Sequence, residues 1–189
     1  MDAPLRELFE RVGPHADLAH PDLPTIAAAL LDLAADHDYL APVIARMADV
    51  SGAQPLHMPP SGPRLSLVHR KAGQMSAVHD HGVWVALAPV VGIETHRRYR
   101  PLTPSDRATL RVAEDQPLGP AECVTLQPPD DIHDHGHLTG RGDAAWVLIL
   151  LGDDQFQRRR SEWDPTTGRR RALEPGDQGR WLASEPFPD

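Results

Sequence analysis

The 189-residue chain reads as a mainly β protein, a sandwich or barrel, preceded by a short helical segment. Three observations predict this. Short apolar stretches at Leu65 to Val68, Val83 to Val91, Cys123 to Leu126 and Trp146 to Leu151 are separated by Gly, Pro and Asp, the pattern of many short strands. Apolar residues upstream recur at helical spacing instead. Between the two regimes, Ser51 to Pro63 carries Gly52, Pro55, Pro59, Pro60, Gly62 and Pro63, through which a helix cannot continue.

In the helical block Leu5, Leu8, Phe9 and Val12 form one apolar stripe, and Ile26, Leu30, Leu31 and Leu33 a second. Asp22 and Pro24 flank the start of the second helix as cap and early proline, and Pro42 marks the start of a third stretch reaching Met47. The expected organisation is a helical segment over residues 1–50 packed on the barrel, a linker over 51–63, the barrel over 64–175 and a C-terminal tail over 176–189. Asp164-Pro165-Thr166-Thr167-Gly168 reads as a hairpin turn, and the arginines at 158–160 and 169–171 that flank it read as a solvated face.

Composition narrows the function. Hydrophobic residues make up 40% and charged residues 24% of the chain, a globular balance. The formal net charge of −8 disfavours nucleic acid and anionic membranes, which require a basic footprint, and points to a small-molecule partner. There is no long apolar run and no signal-like amino terminus, so a cytoplasmic location is expected, as monomer or homodimer. Cys123 is the single cysteine; it can form no disulfide within the chain and no cysteine-based metal site, and it reads as an inert thiol on an apolar strand.

Of the 11 histidines, two groups are dense: His79-Asp80-His81 and His133-Asp134-His135-Gly136-His137. Residues two apart on a strand face the same way, so His79 and His81 would project together into a barrel, with Asp80 pointing away. A third ligand from the second cluster would complete a metal site of neutral imidazoles, with positions left open for an anionic ligand. One ligand from that cluster suffices. His135 and His137 read as hydrogen-bonding neighbours or surface groups, and His15, His20, His37, His57 and His96 default to the surface. Imidazole suits Fe, Zn, Ni and Cu alike.

These residues carry a resemblance. Gly73-Gln74, Val78-His79-Asp80-His81-Gly82-Val83-Trp84 and Val91-Gly92-Ile93-Glu94 resemble the first motif of the cysteine and thiol dioxygenases of the cupin superfamily, including the 3-mercaptopropionate dioxygenases. Asp131-Ile132-His133 is similar to their second motif. The resemblance spans roughly residues 64 to 175, through Gly152 and Trp163 to Gly168. It implies a cupin double-stranded β-helix, a jelly-roll barrel, with Fe(II) held by His79, His81 and His133, O2 as cosubstrate, and a small thiol such as L-cysteine as substrate. Ni, Zn, Co or Cu would fit the same ligands in a preparation.

One departure stands out. Members carry a Ser-x-His-x-Tyr relay before a Gly, where the register set by Gly152 places Val147, Ile149 and Leu151. With Leu151 for Tyr and Ala86 for the Cys of some members, their Cys-Tyr cross-link cannot form. A wall without these donors suggests a non-standard outcome, such as oxidation with rearrangement to a sulfonamide. The family binds the substrate carboxylate with an Arg or Gln upstream of the first motif; Gln54, Arg64, His69 and Arg70 are candidates, with His69 and Arg70 on opposite faces of one strand. Trp84 and Tyr99 are further candidate substrate contacts, Trp84 reading more readily as core and Tyr99 as a solvated strand end. The alternatives are a non-redox metal-dependent isomerase or lyase, and a metabolite-binding cupin.

Overall fold

The structure is a computed structural model that describes residues 1–103, 106–164 and 166–187. Three helices lead: α1 (Ala3–Val12), α2 (Leu23–Ala35) and α3 (His37–Met47). Asp22 caps α2, its side chain accepting from the Thr25 amide. Asp36 does the same for α3 through the Tyr39 amide. The third helix therefore starts at His37, and Pro42, expected at its beginning, lies inside it; the cap fixes the start five residues earlier than the proline suggests.

Twelve strands follow: β1 (Gly52–His57), β2 (Arg64–Lys71), β3 (Gln74–Met75), β4 (Val78–His79), β5 (Val85–Val91), β6 (Glu94–Thr103), β7 (Asp106–Leu118), β8 (Val124–Leu126), β9 (His133–His137), β10 (Ala144–Leu151), β11 (Arg160–Trp163) and β12 (Arg170–Leu173). One sheet runs β1-β2-β10-β5-β8 and the other β12-β11-β4-β9-β6-β7, with β3 on β9. Every pairing is antiparallel. From β4 onward the chain passes repeatedly from one sheet to the other, with the β6–β7 hairpin as the turning point. This is the double-stranded β-helix. The stretch expected as a linker opens with β1, because alternating Gln54 and Leu56 can pack beside β2 despite Pro55, where the register shifts.

Strand alternation sorts the side chains of the first sheet. Leu65, Leu67, Trp84, Ala86, Ala88, Trp146, Leu148 and Leu150 face out and share a core with Leu8, Val12, Ile26, Leu30 and Leu40 of the helices. Val68, Val85, Leu87, Val147, Ile149 and Leu151 face in, packing with Leu118 of the second sheet. Burial on both faces explains why β5 and β10 are continuous apolar runs rather than alternating ones. Each fully buried aliphatic side chain contributes about 1.5–3 kcal/mol. Pro89 sits within β5 where the pairing with β10 shifts at Trp146/Val147, the irregularity a missing N–H requires.

The expected hairpin turn joins β11 to β12, with Asp164 accepting from the Thr166 amide at 2.8 Å; its Pro165 lies outside the described residues. The flanking arginines are not a uniform solvated face. Arg160 is buried and Arg171 pairs with Glu162 at 3.1 Å. The tail straps across β3, where the Ala183 amide donates to Met75 at 2.9 Å. Arg180 donates to the Trp163 carbonyl at 3.0 Å. Among the described residues, no helix is long and apolar enough to cross a membrane.

The strand carrying the second histidine cluster depends on Gly136. A Cβ there would fall on the Gln74 carbonyl oxygen and 2.7 Å from the Met75 Cα. Gly136→Ala is expected to lower unfolding free energy by about 1–3 kcal/mol through overpacking. Urea denaturation checks this; an unchanged midpoint would mean that β3 does not lie against β9.

Candidate metal centre

His79 ends β4, and His133 lies opposite it on β9. The turn after β4 is locked by carboxylates: Asp131 Oδ2 accepts from the His81 amide at 2.9 Å and the Gly82 amide at 3.2 Å, while Asp80 turns outward to the Ser161 amide at 2.6 Å. These bonds bring His81 back to the interior. Ring centroids then lie 4.7 Å apart for His79–His81, 4.7 Å for His79–His133 and 4.9 Å for His81–His133. His135, two residues along the same face of β9, is 5.5 Å from His133.

Hydrogen bonding sets the tautomer of all four rings. Nδ1 of His79 donates to the Ala77 carbonyl at 2.7 Å, that of His81 to Gln155 Oε1 at 2.5 Å, that of His133 to the Asp131 carbonyl at 2.8 Å, and that of His135 to Glu94 Oε1 at 2.7 Å. A neutral imidazole that donates from Nδ1 holds a bare lone pair on Nε2. The Nε2 atoms of His81 and His133 face each other at 3.4 Å with no proton left to share. Neighbouring ligands on one ion with bonds near 2 Å lie about 3 Å apart, so a cation fits where the two lone pairs meet. The ligand atoms of His79, His133 and His135 all lie within 4.8 Å of one another. His135, expected as a neighbour, thus sits in ligand range as well.

Burial, first of all, keeps these rings uncharged. It holds His79 down to about 3, and His81, His133 and His135 well below the ordinary imidazole value, with neighbouring histidines adding to the effect for His81 and His133. Neutral imidazoles are ready ligands that no proton has to leave. Glu94 is fully buried beside them, pushed up to about 7 by burial against the pull of Arg70.

The remaining candidates divide by face. Arg70 points inward, almost fully buried, with Nε and Nη1 lacking a partner among the described residues and its guanidinium 4.6 Å over the Trp181 ring. His69 points the other way, stacked on Trp146 at 4.2 Å with Nδ1 2.8 Å from the Val50 carbonyl. Gln54, opposite Leu67, and Trp84, donating to the Ala16 carbonyl at 3.4 Å, also belong to the helix side. Arg64 is tied to Asp154 at 3.0 Å. Tyr99 is buried rather than solvated, its hydroxyl donating to Asp134 Oδ2 at 3.1 Å among Val78, Ile132 and Trp163; the register shift at Arg98/Tyr99 breaks the simple alternation there. His137 is buried with both ring nitrogens against carbonyls, of Ile93 at 2.8 Å and Gly142 at 3.0 Å, and has none free. Val147, Ile149 and Leu151 form an apolar interior wall.

His96, expected at the surface, is fully buried and stacks on His133 at 5.2 Å. Glu94, the last residue of the Val91-Gly92-Ile93-Glu94 motif, and His96 share the inward face of β6 by their two-residue spacing, the pattern in the sequence that points to His96. Gln155 carries no such pattern; it reaches His81 from a 3-10 turn (Gln155–Gln157) distant in sequence.

No protein-family model matches the chain, and no curated protein does. Among solved structures it is similar to a sugar phosphate isomerase of the cupin superfamily from Silicibacter pomeroyi, with 17% identity, 49% of this chain and 51% of that one covered, and a TM-score of 0.37. A DMSP lyase from Ruegeria pomeroyi gives 15% identity over 57% of this chain and 49% of its own, at 0.40. An RmlC-like cupin with a double-stranded β-helix from Methanocaldococcus jannaschii gives 12% over 57% and 85%, also at 0.40. The chain spans about half the length of the first two. The identities and TM-scores are low, and the double-stranded β-helix stands on the strand order of the two sheets.

Proposed function

We propose that the chain is a mononuclear metal enzyme that uses iron(II) and O2 to oxygenate the sulfur of a small thiol acid such as L-cysteine. The observation that carries the metal site is the set of neutral imidazoles whose Nδ1 atoms are all committed to oxygen acceptors, with Nε2 of His81 and His133 3.4 Å apart and the ligand atoms of His79, His133 and His135 within 4.8 Å of one another. His79, His81 and His133 would hold the ion, with His135 within reach. A bound redox-active ion would supply electron transfer to O2 and a Lewis-acidic position for a thiolate. The chain supplies the rest. Arg70 offers Nε and Nη1 to a carboxylate, a pairing suited to guanidinium geometry. Val147, Ile149 and Leu151 keep water away from one side and offer no proton, which supports an outcome other than plain sulfinate, such as rearrangement to a sulfonamide.

One observation favours a second reading. The Glu94 carboxyl, pushed up to about 7 and buried beside the histidines, can exchange a proton near neutrality, as a metal-dependent isomerase or lyase requires.

Metal-free protein titrated anaerobically with Fe(II) is expected to bind one equivalent, and His79→Ala and His133→Ala to fall below that, by elemental analysis. Gln155→Ala, which frees the His81 ring, should weaken binding about 10- to 100-fold. L-cysteine or 3-mercaptopropionate should then drive oxygen uptake that His79→Ala abolishes, with product mass identifying the outcome. Tight binding without uptake would favour the isomerase or lyase.

The depressed histidines also set a pH dependence. His79 and His96 stay uncharged in the folded chain down to about 3 but take protons near 6.5 when unfolded. The unfolded state therefore binds more protons in that window, and stability of the metal-free protein falls as pH drops from about 6.5 toward 3. Urea midpoints across that range check it; a flat profile from pH 6.5 to 5 would contradict neutral burial.

A further inference from the structure

Three inward side chains carry polar atoms without a hydrogen-bond partner among the described residues. His96 has both ring nitrogens without a hydrogen-bond partner among the described residues, Glu94 its Oε2, and Arg70 its Nε and Nη1. Relative exposure is 0% for His96 and Glu94 and 1% for Arg70. Arg70 comes from β2 of one sheet, whereas Glu94 and His96 stand two residues apart on β6 of the other, near enough for Arg70 and Glu94 to influence each other's ionisation. An unanswered buried donor or acceptor is costly, the more so when charged. Several of them facing the interior between the two sheets describe a site built for a polar occupant.

Their chemistry describes that occupant. Arg70 offers only donors and calls for an anion. Glu94 Oε2 is an acceptor, its companion oxygen already taken by His135 at 2.7 Å. A neutral His96 ring offers one further acceptor and one donor. A mercapto acid would answer Arg70 and leave Glu94 and His96 as they are. A small amino acid answers both ends, with carboxylate oxygens for Arg70 and ammonium hydrogens for Glu94 and His96.

We propose that Glu94 Oε2 and His96 form a subsite for the ammonium group of a small amino acid whose carboxylate Arg70 holds. This rests on Arg70 acting as the carboxylate clamp of the proposed function, and it needs no turnover. It selects L-cysteine over 3-mercaptopropionate, which differs only by lacking the amino group.

Calorimetric titration of the full chain with these two ligands, with zinc bound and without metal, tests it. L-cysteine should bind at least about tenfold more tightly in both forms, the low end of what a hydrogen bond to a charged group contributes. His96→Asn and Glu94→Gln should cut that preference to less than about threefold, with circular dichroism reporting the fold. Equal binding in the unaltered chain, no binding of either ligand, or a preference that survives both substitutions would each overturn the subsite. A preference confined to the zinc form would assign it to the metal and overturn it too. Absent oxygen uptake alongside a preference shared by both forms would instead overturn the oxygenase reading and leave the subsite standing.

Discussion

The arrangement depends on one repeated interaction, the hydrogen bond from a histidine Nδ1 to an oxygen of the chain. Four rings make it, to the Ala77 and Asp131 carbonyls, to Gln155 and to Glu94. Without it each ring could flip or change tautomer, and the Nε2 lone pairs would have no common direction. The fold can be understood as the means of supplying those oxygens. Two come from backbone two residues before the histidine they hold, which costs the sequence nothing, and two come from side chains on other elements, which requires β6 and the turn after β10 to arrive in register.

This division explains what the sequence disclosed. His79, His81 and His133 stand out because their spacing and neighbours are local, and the β-rich architecture stands out because apolar runs and punctuation are local too. His96 was concealed because its burial depends on β6 lying beside β9, a non-local pairing. Tyr99 was misplaced by a register shift, and β1 by its prolines. Pro42 misled for the opposite reason. A strong breaker signal was overridden by a cap at Asp36 that lets α3 begin early enough to carry the proline inside.

The interior is chemically divided. β10 and the inward residues of β5 and β8 give a dry aliphatic side, and β4, β6 and β9 give the histidines and Glu94. An aliphatic side excludes water, and the low dielectric it provides strengthens charge interactions beside it. The outward face of the first sheet has a different task. Trp84, Trp146 and His69 serve the contact with the helical segment, which is why side chains that look chemically interesting in sequence lie on the far side of the first sheet from the histidines.

The strap that returns across β3 has an optical consequence. Trp84, Trp146 and Trp163 are buried, whereas Trp181 is 41% exposed and lies over the Arg70 guanidinium. An indole in that position senses the charge it covers. An anion paired with Arg70 would alter the field across that ring, so Trp181 would report its binding, distinguishable by solvent quenching from the three tryptophans that report only on packing.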